Sequence, residues 1–229
     1  MANPTIEELQ NEEHFELVAK LNHDKIKEFV IHQLTENGKI VFSYMIYQFL
    51  MVLLGMFFLT RSIVLAFQDY FQPLYISFAT LLFCFSVLIV IHEFIHGIAL
   101  KFTGAKKVRY GGYIKKFIFY AEADRHVLNR NQFAFVALAP LVTVQTVTLI
   151  GIAFSLAQPW LYFWIILMAV HSLFCAGDIG LLALFYREKD SEIYTFDVKA
   201  EKTSYFYEKG KGQRLSSAKG HGLSKVRDL

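Results

Sequence analysis

The sequence predicts an all-α integral membrane protein with about four transmembrane helices, a short membrane-adjacent β-hairpin and an N-terminal amphipathic helix. Hydrophobic residues make up 55% of the 229 residues, and the mean hydropathy is +0.37. Soluble domains contain roughly 45–50% apolar residues. A helix needs about 20 apolar residues to cross the bilayer core. Four stretches have this length, and they define a membrane domain over 40–186, with spans at 40–59, 74–100, 133–156 and 160–185.

The segment 1–39 precedes the first span and is predicted to form a cytoplasmic amphipathic helix. Its first residues are polar and acidic and lack the basic start and short apolar core of a secretory signal. We therefore expect the spans themselves to insert the chain into the membrane. Farther along the segment, apolar residues recur at helical spacing, namely Leu21, Ile26, Phe29, Val30 and Leu34.

The distribution of basic residues predicts the orientation of the spans. The loop 101–131 contains eight Lys and Arg residues, whereas the loop 60–73 contains only Arg61 and the loop 157–159 contains none. Cytoplasmic loops are enriched in Lys and Arg. The loop 101–131 and both termini are therefore predicted to be cytoplasmic. The cytoplasmic position of the loop 101–131 explains its basic residues, and the net charge of the chain is only +3. We therefore expect no nucleic-acid partner.

Two segments outside the spans carry further structure. Residues 107–121 are rich in Tyr, Ile, Val and Phe and predict a β-hairpin with its turn at Gly111-Gly112. The acidic and histidine residues that follow the hairpin are expected to be solvated loop residues. The tail 187–229 is predicted to be cytoplasmic, with enough aromatic residues to pack in its first half and disorder from about residue 210.

A His-Glu-x-x-His motif lies near the end of the second apolar run. His92 and His96 are four residues apart and share one face of a helix, so both imidazoles can bind one zinc ion. Glu93 points to an adjacent side, where it can act as a general base on water. An ionisable side chain inside a membrane span is costly, about 2.5–3.5 kcal/mol at the centre, and by default indicates a functional site.

A catalytic zinc site usually has three protein ligands, so a third must come from another span. Asp178 is the only acidic residue in the fourth span, and the first and third spans contain none. His92 lies nine residues before Lys101, and Asp178 lies nine residues before Arg187. At 1.5 Å per residue, both lie roughly 13 Å from the cytoplasmic boundary. This agreement in depth predicts that Asp178 completes the zinc site.

Two other residues of the fourth span could contribute to the site. His171 lies seven residues before Asp178 and could assist the oxyanion, substitute as a ligand, orient Asp178 or simply line a wet cavity. Cys175 could bind zinc as a thiolate, but we expect both Cys175 and Cys84 to be small buried side chains.

Because of these motifs, residues 74–186 resemble an intramembrane metalloprotease of the site-2 protease type. Among such proteins, the chain most resembles the bacterial zincin peptidase family of small membrane proteins. The site-2 core has three spans, with the His-Glu-x-x-His motif in the first and an aspartate ligand in the third. Here spans two, three and four reproduce that order. One difference is the context of the aspartate, which is Asn-Pro-Asp-Gly in the site-2 type and Cys175-Ala176-Gly177-Asp178 in this chain.

The resemblance implies an intramembrane zinc-dependent endopeptidase in the bacterial cell membrane. It would hydrolyse a membrane-embedded protein substrate near the cytoplasmic side. Glu93 would be catalytic, and His92, His96 and Asp178 would hold Zn²⁺. Two alternatives stay open: a non-proteolytic membrane protein that binds or transports metal, and a non-catalytic relative that binds membrane proteins. The sequence leaves the substrate and the oligomeric state undetermined.

Overall fold

The computed structural model describes residues 3–35, 38–113, 118–186, 192–209 and 227–228. Three helices are long and apolar enough to cross a membrane, and a bent pair of shorter helices can supply a fourth span. The chain is thus mostly helical, and these long apolar helices indicate association with a membrane.

The long helices begin and end close to the predicted spans. Helix α3 runs over Lys39–Ala66. Helix α4, Gln72–Phe83, continues through a π-helical turn at Cys84–Leu88 into α5, Ile89–Phe102. Helix α6 covers Arg130–Ser155, and the fourth stretch divides into α7, Leu161–Phe174, and α8, Ala176–Phe185, bent by 43°.

The prediction of one helix in the N-terminal segment is wrong for its first half. A one-turn helix α1 at Ile6–Leu9 is followed by strand β1, Phe15–Asn22, and only then by helix α2, Ile26–Thr35. Leu21, assigned to the amphipathic helix, lies in β1 and is fully buried. Four apolar residues of β1 recur at every second position, which is the period of a strand, and of these only Leu21 belongs to the helical spacing described above. They are Phe15, Leu17, Ala19 and Leu21.

The all-α assignment is also wrong, because both ends of the chain join one β-sheet. Three further strands of this sheet are β4 (Leu128–Asn129), β5 (Ile193–Val198) and β6 (Thr203–Lys209). Together with β1 they pair antiparallel in the order β4, β5, β6 and β1. A short strand, Arg227–Asp228, lies parallel to β1. The aromatic part of the tail is therefore structured. Apart from Arg227 and Asp228, the stretch predicted to be disordered lies outside the described residues.

The hairpin prediction is confirmed as two antiparallel strands, β2, Arg109–Tyr113, and β3, Ile118–Glu122. Its turn is not at Gly111-Gly112, which lie inside β2. A Cβ atom at Gly111 would come within 2.5 Å of the Tyr120 ring, so the glycine makes room for that ring across the strand pair. The residues that join the two strands lie outside the described part of the chain.

The sheet packs on the helices through α2. Val30 of α2 lies so close to α8 that a Cβ at Gly180 would approach Val30 Cγ1 to 2.9 Å. Around this contact, buried apolar side chains of β1, α2, α8, β5 and β6 form one cluster, including Leu21, Phe29, Phe185, Ile193 and Phe206. The N-terminal segment and the tail thus cover the same end of α8.

Candidate metal centre

The His-Glu-x-x-His motif lies in α5, directly after the π-helical turn at Cys84–Leu88. Such turns insert one extra residue into a helix and are frequent at functional sites. The turn offsets α4 from α5 by one residue, which changes the face that α5 presents to its neighbours. His92 and His96 are both buried on the inner face, with exposed fractions of 5% and 7%.

The hairpin lies against the same helix. A Cβ atom at Gly97 would come within 2.0 Å of the Tyr110 hydroxyl, so the glycine makes room for the Tyr110 side chain of β2 against α5. On the neighbouring strand, the backbone of Ala121 forms a hydrogen bond to the Glu93 carboxylate. Strand β3 therefore runs beside the predicted general base.

Asp178 reaches the histidines because the fourth apolar stretch is broken at Cys175. That residue ends α7 and precedes α8. Asp178 thus lies in the first turn of α8, where the positive end of the helix dipole stabilises a carboxylate.

The structure brings the three predicted ligands together. His92 Nε2 lies 3.2 Å from Asp178 Oδ2, His96 Nε2 lies 3.2 Å from Asp178 Oδ1, and the two Nε2 atoms are 3.1 Å apart. Four-coordinate zinc has ligand atoms at about 2.0–2.1 Å, which places them about 3.3 Å from one another at tetrahedral angles. The spacing of the three donor atoms therefore fits one zinc ion.

The unpaired atoms at this site also favour a cation. Asp178 Oδ2 is buried and makes no hydrogen bond of good geometry with any described residue, even though His92 Nε2 is close. A buried oxygen without a partner costs free energy. Electron-pair donors that converge at this distance repel one another unless a proton or a metal ion lies between them. Two imidazoles and a carboxylate are also an ordinary ligand set for catalytic zinc.

The orientation of His96 depends on a proline in α6. His96 Nδ1 donates a hydrogen bond to the Val136 carbonyl oxygen, at 2.9 Å. In a regular helix that carbonyl would accept from the N–H of residue 140, but Pro140 has no N–H. Pro140 therefore frees the Val136 carbonyl for His96. This bond keeps the ring proton on Nδ1 and leaves Nε2 free to bind metal.

We expect Pro140→Ala to weaken zinc binding. The new N–H competes with His96 for the Val136 carbonyl, and loss of such a supporting hydrogen bond typically lowers metal affinity by about 10–100-fold. Competition with a fluorescent zinc chelator measures the change. Pro159→Ala, in the loop before α7, is the matched control and should leave zinc affinity unchanged. Equal zinc affinity in Pro140→Ala and the unmodified chain would contradict this role.

His171 and Cys175 lie behind His92, away from the other two predicted ligands. His171 Nε2 is 3.1 Å from His92 Nδ1, so His171 contacts a histidine of the motif. Cys175 Sγ lies 3.8 Å from His171 Nδ1. Both side chains are fully buried.

A cavity of about 880 Å³ opens on the three predicted ligands and on Glu93. Its lining is mostly apolar and extends from α5 and α8 along β3 to the sheet. Helix α2 forms one wall with Ile26, Val30 and Ile31. Glu122, expected to be solvated, is 5% exposed, lines the cavity and lies 3.6 Å from Lys199.

The end of the cavity near the sheet carries polar and ionisable groups. Burial raises the pKa of the Asp197 carboxyl, which accepts a hydrogen bond from Ser204 Oγ at 2.6 Å. Burial also lowers the pKa of the His126 imidazole, whose Nε2 lies 2.9 Å from Thr103 Oγ1. Each shift is towards the neutral form of the group.

Sequence analysis missed three features that position the site: the π-helical turn, the Val136 carbonyl and the hydrogen bond from Ala121. The first and third have no local signal in the sequence. The second has one, because a proline inside an apolar helix always leaves the carbonyl four residues earlier without its usual donor. That carbonyl is a ready acceptor for a histidine of a neighbouring helix.

Comparison with known proteins gives one match. The family model described as "Putative zincin peptidase" matches residues 85–193, and this range contains the whole motif, His171 and Asp178. No curated protein and no solved structure matches the chain. The similarity, together with the fit of the three donor atoms to zinc, indicates a zinc-dependent peptidase of the zincin type.

Proposed function

We propose that the chain is an intramembrane zinc-dependent endopeptidase of the site-2 protease type, which hydrolyses a peptide bond of a membrane-embedded protein near the cytoplasmic side. The observation that carries the proposal is the convergence of His92, His96 and Asp178 from two apolar helices, with donor atoms 3.1–3.2 Å apart. Beside them, Glu93 supplies a carboxylate that binds no metal in this arrangement.

Each residue has a distinct role in the proposed reaction. His92, His96 and Asp178 hold zinc, and His171 and the Val136 carbonyl fix the orientations of the two imidazoles. A bound zinc ion supplies Lewis-acid chemistry, which acidifies water and polarises a carbonyl group. Glu93 removes a proton from the attacking water and passes it to the leaving amine.

Strand β3 is the proposed binding site for the substrate backbone. It pairs with β2 on one side, and no other described strand pairs with it on the other side. Residues 119–123 line the cavity beside Glu93. An extended peptide can add to such an edge through backbone hydrogen bonds, with its side chains in neighbouring pockets. A transmembrane substrate must unwind locally to bind in this way, since a helix has no free backbone groups.

The proposal is tested by cleavage of a single-span membrane protein by the full chain in lipid nanodiscs. We expect cleavage to stop when a strong chelator removes the metal and to return with one equivalent of Zn²⁺ but not with Mg²⁺, which prefers oxygen ligands in octahedral geometry. Mass spectrometry of the products locates the cut bond. Cleavage that persists in the metal-free protein, or zinc-loaded protein that cuts none of a panel of such substrates, would refute the proposal.

A further inference from the structure

A second group of metal-binding side chains lies directly behind the first. Among the described residues, two groups of three His, Cys, Asp or Glu side chains have ligand atoms close enough to hold one metal ion. The outer set is His92, His96 and Asp178, and the inner set is His92, His171 and Cys175. The two sets share His92 through opposite ring nitrogens, Nε2 for the outer set and Nδ1 for the inner set.

The two imidazole nitrogens and the sulfur of the inner set are ligand atoms that soft cations prefer. Its ligand atoms all lie within 4.8 Å of one another. His92 Nδ1 is 3.1 Å from His171 Nε2, and Cys175 Sγ is 4.0 Å from the same nitrogen. Around zinc, a nitrogen and a sulfur ligand at tetrahedral angles would be about 3.6 Å apart. The nitrogen pair is slightly closer and the nitrogen–sulfur pair slightly wider than around zinc. Thiolate with imidazole selects thiophilic cations over Mg²⁺ or Ca²⁺.

The position of the inner set allows a cation to reach it from the cavity. His171 and Cys175 are both 0% exposed, but the next three residues of the chain, Ala176, Gly177 and Asp178, line the cavity. A Cβ atom at Gly177 would meet no atom within 4 Å. Open space therefore lies at the start of α8, two residues from Cys175.

We propose that His92, His171 and Cys175 form a second site, which binds a thiophilic divalent cation in competition with the outer set. Binding breaks the S–H bond of Cys175 and releases that proton to solvent. It also moves the ring proton of His92 from Nδ1 to Nε2, because a neutral imidazole carries one ring proton. His92 is then lost to the outer set. The existence of this site does not depend on peptidase activity, whereas its consequence, inhibition by soft metals, rests on the proposed function.

Cadmium is the probe, because a thiolate bound to Cd²⁺ gives an ultraviolet charge-transfer band that nitrogen and oxygen ligands do not give. The full chain in detergent, with one equivalent of zinc, is titrated with Cd²⁺. We expect the band to saturate at about one Cd²⁺ per chain and bound zinc to fall in parallel. Cys175→Ser should abolish the band. His171→Gln should weaken Cd²⁺ binding by at least about tenfold, as expected for loss of a contact to the metal.

Cys84→Ser is the matched control, since Cys84 is the only other cysteine of the chain and is equally buried. It should leave the band unchanged. A band that is absent from the unmodified chain, survives Cys175→Ser or disappears in Cys84→Ser would overturn the second site. A band that is unaffected by His171→Gln would overturn the inner ligand set. A normal band in a protein that cleaves no substrate would refute the peptidase and leave the second site standing.

Discussion

Replacing Glu93 by glutamine is expected to remove peptidase activity without removing the metal. The amide has nearly the same size as the carboxylate but cannot accept the proton of the attacking water. General base catalysis contributes about 10²–10⁴-fold to rate, so the cleavage rate should fall by that factor. Glu93 is not among the three converging donors, so zinc content should stay at that of the unmodified chain. Both quantities can be measured on one preparation, by gel-based cleavage and by atomic emission.

Glu192→Gln is the control for this variant, because Glu192 lies on the surface and its partner is Lys209, at 3.1 Å. It should retain full activity. Cleavage at an unreduced rate by Glu93→Gln would remove Glu93 from the mechanism. The same variant separates the peptidase from a metal transporter, because transport of zinc across a vesicle membrane does not require a general base.

Replacing Asp178 by asparagine is expected to empty the zinc site. The change removes the negative charge and replaces a carboxylate ligand with a weak amide oxygen. Loss of a supporting partner alone costs about 10–100-fold in metal affinity, so loss of a ligand should cost at least about 100-fold. Competition with a fluorescent chelator measures the affinity, and cleavage should stop in the same preparation at limiting zinc.

Asp197→Asn makes the matched change at another carboxylate that lines the same cavity. Its carbonyl oxygen can still accept the hydrogen bond from Ser204, so the sheet and the zinc affinity should persist. Zinc binding of normal strength in Asp178→Asn would exclude Asp178 as a ligand. An equal loss of zinc in both variants would show that the effect comes from charge in the cavity and not from ligation.

The apolar helices could be predicted because their signal is local and long. A run of 20 or more apolar residues has few structural solutions. Helix α6 begins three residues before the predicted span at 133–156, and α3 continues seven residues beyond the predicted span at 40–59. The proximity of Asp178 to the motif could also be predicted, because charge distribution fixed the relative depths of two helices. Its role as a ligand remains a prediction.

The β-sheet could not be predicted with the same ease, because its strands are short and far apart in the chain. The apolar residues of β1 alternate, but a few apolar residues can be fitted to a helix as readily as to a strand. What decides between them is the partner, and β1 pairs with β6, about 190 positions later. The π-helical turn before His92 likewise depends on packing between helices and leaves no pattern in the sequence.

The pairing of β1 with β6 has a consequence for biosynthesis. Strand β1 leaves the ribosome before helices α3 to α8, yet its partner β6, residues 203–209, is made only after them. Until β6 has been made, β1 and the following helix α2 lack part of the sheet against which they pack. The metal-binding cavity, which α2 and β6 both line, is therefore complete only after helix α8 has been made.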